Sequence, residues 1–106
     1  MDNNILTVIY HNAYGKRNRM LIDMDSFFPC DANWLKRLIK TVLIRSDEYE
    51  EHMETITRYL AKKYNEELLL NKIAPTSKGQ TREKKYRKCL DMLGGTYGQQ
   101  SNIITG

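Results

Sequence analysis

Few residues in this sequence could do chemistry. The soft metal ligands and thiol nucleophiles are two histidines, His11 and His52, and two cysteines, Cys30 and Cys89. A structural zinc site draws on four Cys or His ligands, usually in close pairs. Here the four stand singly, and Glu50-Glu51-His52-Met53-Glu54 lacks the second histidine of a metalloprotease helix. No metal site is expected, and both histidines read as exposed or locally bonded. Ser77-Lys78-Gly79-Gln80-Thr81 holds glycine, lysine and threonine in the wrong order for a phosphate loop, and no strand precedes it. Cys30 follows Pro29 near a helix start, where a dipole could lower a thiol pKa, yet no basic partner can be assigned to it. Acid–base catalysis needs groups in a desolvated cleft, whereas the carboxylates here crowd a hydrophilic stretch. The chain reads as non-catalytic and without a cofactor.

The sign of the charge reverses along the sequence. Residues 46–57 carry Asp47, Glu48, Glu50, Glu51 and Glu54 with no Lys or Arg. Residues 72–88 carry Lys72, Lys78, Arg82, Lys84, Lys85, Arg87 and Lys88 against Glu83 alone. The net charge of +4 is thus a cancellation. Clustered like charges raise the local potential and steer encounters with charged partners. Arg82, Lys84, Lys85, Tyr86, Arg87 and Lys88, joined by Lys16 and Arg17 of an early loop, would suit a nucleic acid: cations neutralise phosphates and a tyrosine stacks on an unpaired base. The alternative is a solvated basic helix that balances the acidic one. A helix-turn-helix at Arg45-Ser46 is disfavoured, because its second helix would open on acids that phosphates repel. Those acids suit a basic groove on a protein that handles nucleic acid, where complementarity speeds docking.

These groups need elements to position them. Residues 5–10 are β-branched and aromatic, and residues 19–24 alternate, with Met20, Ile22 and Met24 on one face. The polar loop Asn12–Asn18, with Gly15 free to take positive φ, predicts a β-hairpin between them. Pro29 ends the sheet, and Asp31 or Asn33 can cap a helix carrying Trp34, Leu35, Leu38, Ile39, Val42 and Leu43 as a stripe. Ser46 can cap a second, longest helix with Tyr49, Met53, Ile56, Leu60 and Tyr64 on one face, running to Leu70 or Lys72. Residues 73–80 read as a connector, since Pro75 and Gly79 both interrupt helix. Thr81 then caps a third helix with Tyr86, Cys89, Leu90 and Leu93 inward, stopped by Gly94-Gly95.

The expected fold is α+β: a two-stranded antiparallel hairpin packed on three α-helices, ββααα. Residues 1–95 form one domain and 96–106 a flexible tail. The expected core is Leu6, Val8, Met20, Ile22, Trp34, Leu35, Leu38, Val42, Met53, Ile56, Leu60, Leu90 and Leu93. The start Met-Asp-Asn-Asn lacks the basic and apolar runs of a secretion signal, and no apolar run is long enough for a membrane span. A cytoplasmic protein is expected. The cysteines could form one disulfide; reduced, partly buried thiols fit that compartment better.

Phe27-Phe28-Pro29-Cys30 followed by Trp34-Leu35-Lys36-Arg37-Leu38-Ile39 resembles a stretch found in small accessory proteins of Gram-positive mobile elements, among whose neighbours are anti-CRISPR inhibitors. The resemblance covers residues 26–44 and implies an interaction protein, without transferring any functional residue. Together with the charge pattern it gives the expected function. The chain would dock on, and inhibit, a nucleic-acid-handling protein such as a CRISPR effector, using Glu48, Glu51 and Glu54 with Lys84, Lys85 and Arg87. The alternative is a DNA- or RNA-binding regulator that uses residues 82–88.

Overall fold

In the computed structural model, which describes residues 4–94, strands β1 (Ile5–His11) and β2 (Arg17–Asp23) pair antiparallel, with Leu6 opposite Ile22 and Val8 opposite Met20. Asn12 builds the turn, its side-chain oxygen accepting from the amides of Tyr14 and Lys16 at 2.9 Å each. Gly15 takes φ 81°, a conformation that glycine adopts without a Cβ penalty. The Asn12 amide also donates to the Lys16 carbonyl. Since hydrogen-bonded pairs alternate along an antiparallel ladder, the even residues of β2 bond to β1. The backbone groups of Arg17, Arg19, Leu21 and Asp23 therefore face the edge that no other strand among the described residues pairs.

Val8 has no exposed surface, because β1 lies against the turn that follows the second helix and Tyr10 bridges to Ser46 there. β2 is the outer strand. Met20, expected in the core, is 36% exposed for that reason, while Ile22 nearer the helices is buried. Met24 is buried too, but in a short helix α1 (Met24–Phe27) rather than on the strand. Asp23 starts that helix by accepting from the Asp25 amide at 3.1 Å and the Ser26 hydroxyl at 3.2 Å.

Phe28 is buried and precedes Pro29 across a cis peptide. Asp31 caps α2 (Ala32–Thr41) by accepting from the Asn33 amide at 2.9 Å. Leu35, Leu38 and Val42 face inward. Trp34 does not: it is 58% exposed, with the Arg37 guanidinium 5.3 Å from its ring centre. The apolar stripe is wider than the surface that covers it, and the residue at its edge is left outside. The chain then tightens into a 3₁₀ turn, Leu43–Arg45, that buries Leu43 and exposes Ile44.

Helix α3 (Tyr49–Ile73) follows Ser46, whose hydroxyl oxygen accepts from the Glu48 amide at 3.1 Å. Ile56 and Leu60 are wholly buried; His52 and Tyr59 join them, and Tyr49, Met53 and Tyr64 pack at the margin. Helix α4 (Ser77–Met92) starts earlier than expected. Thr76 is its cap, accepting from the Gly79 amide at 2.9 Å, and Thr81 lies inside the helix, donating to the Ser77 carbonyl. Gly79 is not a breaker here. A Cβ at that position would collide with the Asn71 side-chain oxygen, so the missing side chain lets α4 approach α3. Gly94 takes φ 122° past the helix end.

The architecture is thus α+β, with the N-terminal hairpin expected. Among the described residues four α-helices rather than three follow it, because Asp23 nucleates a turn of helix where a strand residue was expected. Leu6, Val8, Ile22, Leu35, Leu38, Val42, Met53, Ile56, Leu60, Leu90 and Leu93 lie in or against the core, which Phe28, Leu43, Tyr59, Tyr86 and Cys89 complete. Residues 96–106, expected as a tail, lie outside the described residues.

Candidate interaction surfaces

The inward face of α3 is fixed by His52, Ile56, Tyr59 and Leu60. Helical spacing then sends Glu50, Glu51 and Glu54 outward, where all three are exposed, as are Asp47 and Glu48. Two of the acids have local partners. Glu54 bonds Arg58 at 2.7 Å, one turn on, with both side chains about 70% exposed. The Glu48 carboxylate lies 3.8 Å from Nε2 of His52. His52 was expected to be exposed or locally bonded; it is buried, and its Nε2 has no hydrogen-bond partner among the described residues. The exposed Glu54–Arg58 pair contributes little, because water and salt screen it.

The basic segment divides into two roles. Lys84, Lys85, Arg87 and Lys88 are exposed on α4, and none forms an ion pair with a carboxylate of the described residues. Arg82 and Tyr86, expected beside them as nucleic-acid contacts, are otherwise engaged. Arg82 donates from Nε to Glu67 at 3.0 Å, a bond that raises its pKa and staples α4 to α3. Tyr86 is 5% exposed and packs in the core. Burial, with Glu67 nearby, pushes its phenol above the ordinary value. A ring so placed cannot stack on a base. Helical periodicity decides this, since Gly79, Tyr86, Cys89 and Leu90 share the buried side. Lys16 and Arg17 are exposed on the hairpin, which has no extensive contact with α4.

The sequence alone did not assign Lys36, Arg37 and Lys40 to this surface. α2 packs beside α4. Lys36 and Lys40 line a cavity of about 280 Å³ with Met92 and Leu93, while Lys85 and Lys88 line one of about 210 Å³ with Cys30, Asp31 and Ala32. The two pairs of lysines thus lie at different places along the contact between α2 and α4. Their spacing of three and four marks them as helix faces, but the pairing of the helices is a tertiary fact that periodicity does not contain.

The same packing brings the cysteines together across 59 positions. The Cys89 thiol donates to the Cys30 carbonyl at 3.4 Å. The neighbouring Cys89 side chain, then burial, raises the Cys30 thiol above its ordinary value, so the start of α2 does not lower it. Both cysteines are free thiols. A second contact between titratable groups ties two elements together. The Tyr59 hydroxyl donates to Asp25 at 2.7 Å and, with the Asn4 amide, holds that carboxyl below its usual value.

Among the described residues no three His, Cys, Asp or Glu side chains gather as a metal site. No helix among them is long and apolar enough to cross a membrane. Comparison with protein-family models, curated proteins and solved structures found no match to this chain.

Proposed function

We propose that this chain is a non-catalytic, cytoplasmic interaction protein that docks on a nucleic-acid-handling protein and inhibits it, as the resemblance to mobile-element accessory proteins implies. One observation carries the reading: the charge segregation survives folding. Among the described residues the single ion pair that joins different elements is Arg82–Glu67, and it involves neither the outward acids of α3 nor Lys84, Lys85, Arg87 and Lys88. The basic helix therefore does not neutralise the acidic one, and both faces stay available to a partner. Complementary potentials of this kind speed encounter and set register.

A second reading, direct binding of DNA or RNA, is favoured by the packing of α2 beside α4, which adds Lys36 and Lys40, near Met92 and Leu93, to the exposed cations of α4. The burial of Tyr86 removes its stacking group and leaves phosphate contact as the means of binding.

Fluorescence anisotropy of labelled single- and double-stranded DNA and RNA at about 50 and about 200 mM salt separates the two, because phosphate-mediated affinity falls steeply over that span. The docking reading expects no binding even at the lower salt. It also expects capture of a nucleic-acid enzyme that is lost in the Glu48→Lys/Glu51→Lys/Glu54→Lys variant at unchanged melting temperature. Tight binding that fades with salt and vanishes in Lys85→Gln/Lys88→Gln would replace docking with the second reading.

A further inference from the structure

Cys30 and Cys89 belong to different parts of the fold, the loop before α2 and the last turns of α4. They touch: the Cys89 thiol donates to the Cys30 carbonyl at 3.4 Å. Cys89 has no exposed surface. Cys30 lines the cavity of about 210 Å³ whose other walls include Lys85, Lys88 and Asp31. Cys30 is partly exposed and so within reach of a small molecule, Cys89 lies against it, and Lys85 and Lys88 share the wall of the cavity.

We propose that Cys30 and Cys89 form a dithiol site that closes to an intramolecular disulfide by exchange with an anionic low-molecular-weight disulfide drawn in by Lys85 and Lys88. Oxidised glutathione is a suitable probe, because its carboxylates match the lysines. In the first step the pair loses a proton and the Cys30 sulfur attacks the probe. A sulfur–sulfur bond forms to one glutathione, the probe's own disulfide breaks, and the other glutathione leaves as a thiolate that takes up a proton. In the second step Cys89 loses its proton and attacks the Cys30 sulfur, releasing the second glutathione as a thiol. Two protein thiols are oxidised and one small disulfide is reduced to two thiols. The product links the start of α2 to α4. Attack depends on access and on thiolate character. The site supplies access at Cys30 and a second sulfur held against it through the Cys89 contact.

The test is incubation of the folded full-length protein with oxidised glutathione or with cystamine, a cationic disulfide, followed by intact mass and non-reducing peptide mapping. The expected product has lost two hydrogens, retains no glutathione and yields a peptide linking Cys30 to Cys89. Cys89→Ser is expected to trap glutathione on Cys30. Lys85→Gln/Lys88→Gln is expected to slow the glutathione reaction about 3- to 10-fold without slowing cystamine, in keeping with electrostatic steering. A wild-type protein that stays reduced, or keeps glutathione as a stable adduct, overturns the dithiol site, and this result does not depend on any variant folding. Equal effects of the lysine changes on both oxidants overturn the anion selectivity.

Discussion

The two ends of α3 are held by different forces. At its N-terminal half, Ile56 and Leu60 are sealed among Val8, Phe28, Leu35 and Leu43, an apolar cluster contributed by the hairpin, α1, α2 and the 3₁₀ turn. At its C-terminal half the contacts to α4 are polar. Arg82 reaches Glu67, and the Asn71 amide donates to the Gly79 carbonyl at 3.1 Å and to Glu83 at 2.8 Å. Beyond them Leu69, Leu70 and Ile73 are exposed. Apolar burial is strong but non-directional, whereas hydrogen bonds add modest energy with strict geometry. The first end supplies stability, and the second fixes where α4, and so its lysines, lies along α3.

Leu60→Ala should separate the two ends most sharply. Removing a wholly buried leucine costs about 2–5 kcal/mol, which denaturant unfolding will read as a large drop in midpoint. A shift no larger than that of an exposed leucine such as Leu70 would dissolve the distinction. Gly79→Ala probes the polar end. The added Cβ strikes the Asn71 side-chain oxygen, and such overpacking costs about 1–3 kcal/mol, despite alanine's better helix propensity. A stabilised variant would show that the close approach of the helices is not required.

Tyr59→Phe tests the tie between the short helix α1 and α3 by its pH dependence. Asp25 is held below 3.8 first by the Tyr59 hydroxyl and then by the Asn4 amide. A carboxyl so lowered contributes stability present above its unfolded value and lost as pH falls through the folded one. The phenol is raised above 10, first by burial and then by the bond to Asp25. Its contribution is present below the unfolded value and lost as pH rises through the folded one. The gap in melting temperature between wild type and variant should be widest between about pH 5 and pH 9, and should narrow on either side. A constant gap would assign the effect to packing alone. Trp34→Ala should matter least, within about 0.5 kcal/mol as for other surface changes, where a buried tryptophan would cost about 3–5.

The contrast between the two ends also marks what could be read in advance. The strand pattern gave the hairpin and put Leu6 and Ile22 in the core, and the period of α3 placed Ile56 and Leu60 inside. The cap of α2 was narrowed to Asp31 or Asn33, and Asp31 takes it. These are local signals, carried within a few residues. Trp34 and Met20 share the period of their buried neighbours, and only the extent of the surface above them leaves them exposed. Gly79 follows Pro75 and looks like a second break, yet its meaning depends on Asn71, eight positions earlier and on another helix. The candidate sites were legible to the same degree. The acids of α3 and Lys84, Lys85, Arg87 and Lys88 are exposed as their helices require. Arg82 is withdrawn by Glu67, and the meeting of α2 with α4 adds Lys36 and Lys40.

The outer edge of β2 carries a last consequence. Its outward backbone groups belong to Arg17, Arg19, Leu21 and Asp23, and the Leu21 side chain is exposed. An unpaired edge of this sort templates further strands unless charge intervenes. Three charged residues around one leucine act as gatekeepers, so the arginines and aspartate that form the rim of this hairpin oppose edge-to-edge pairing. Their neutralisation would turn a folded protein towards fibre growth before it loosened the core.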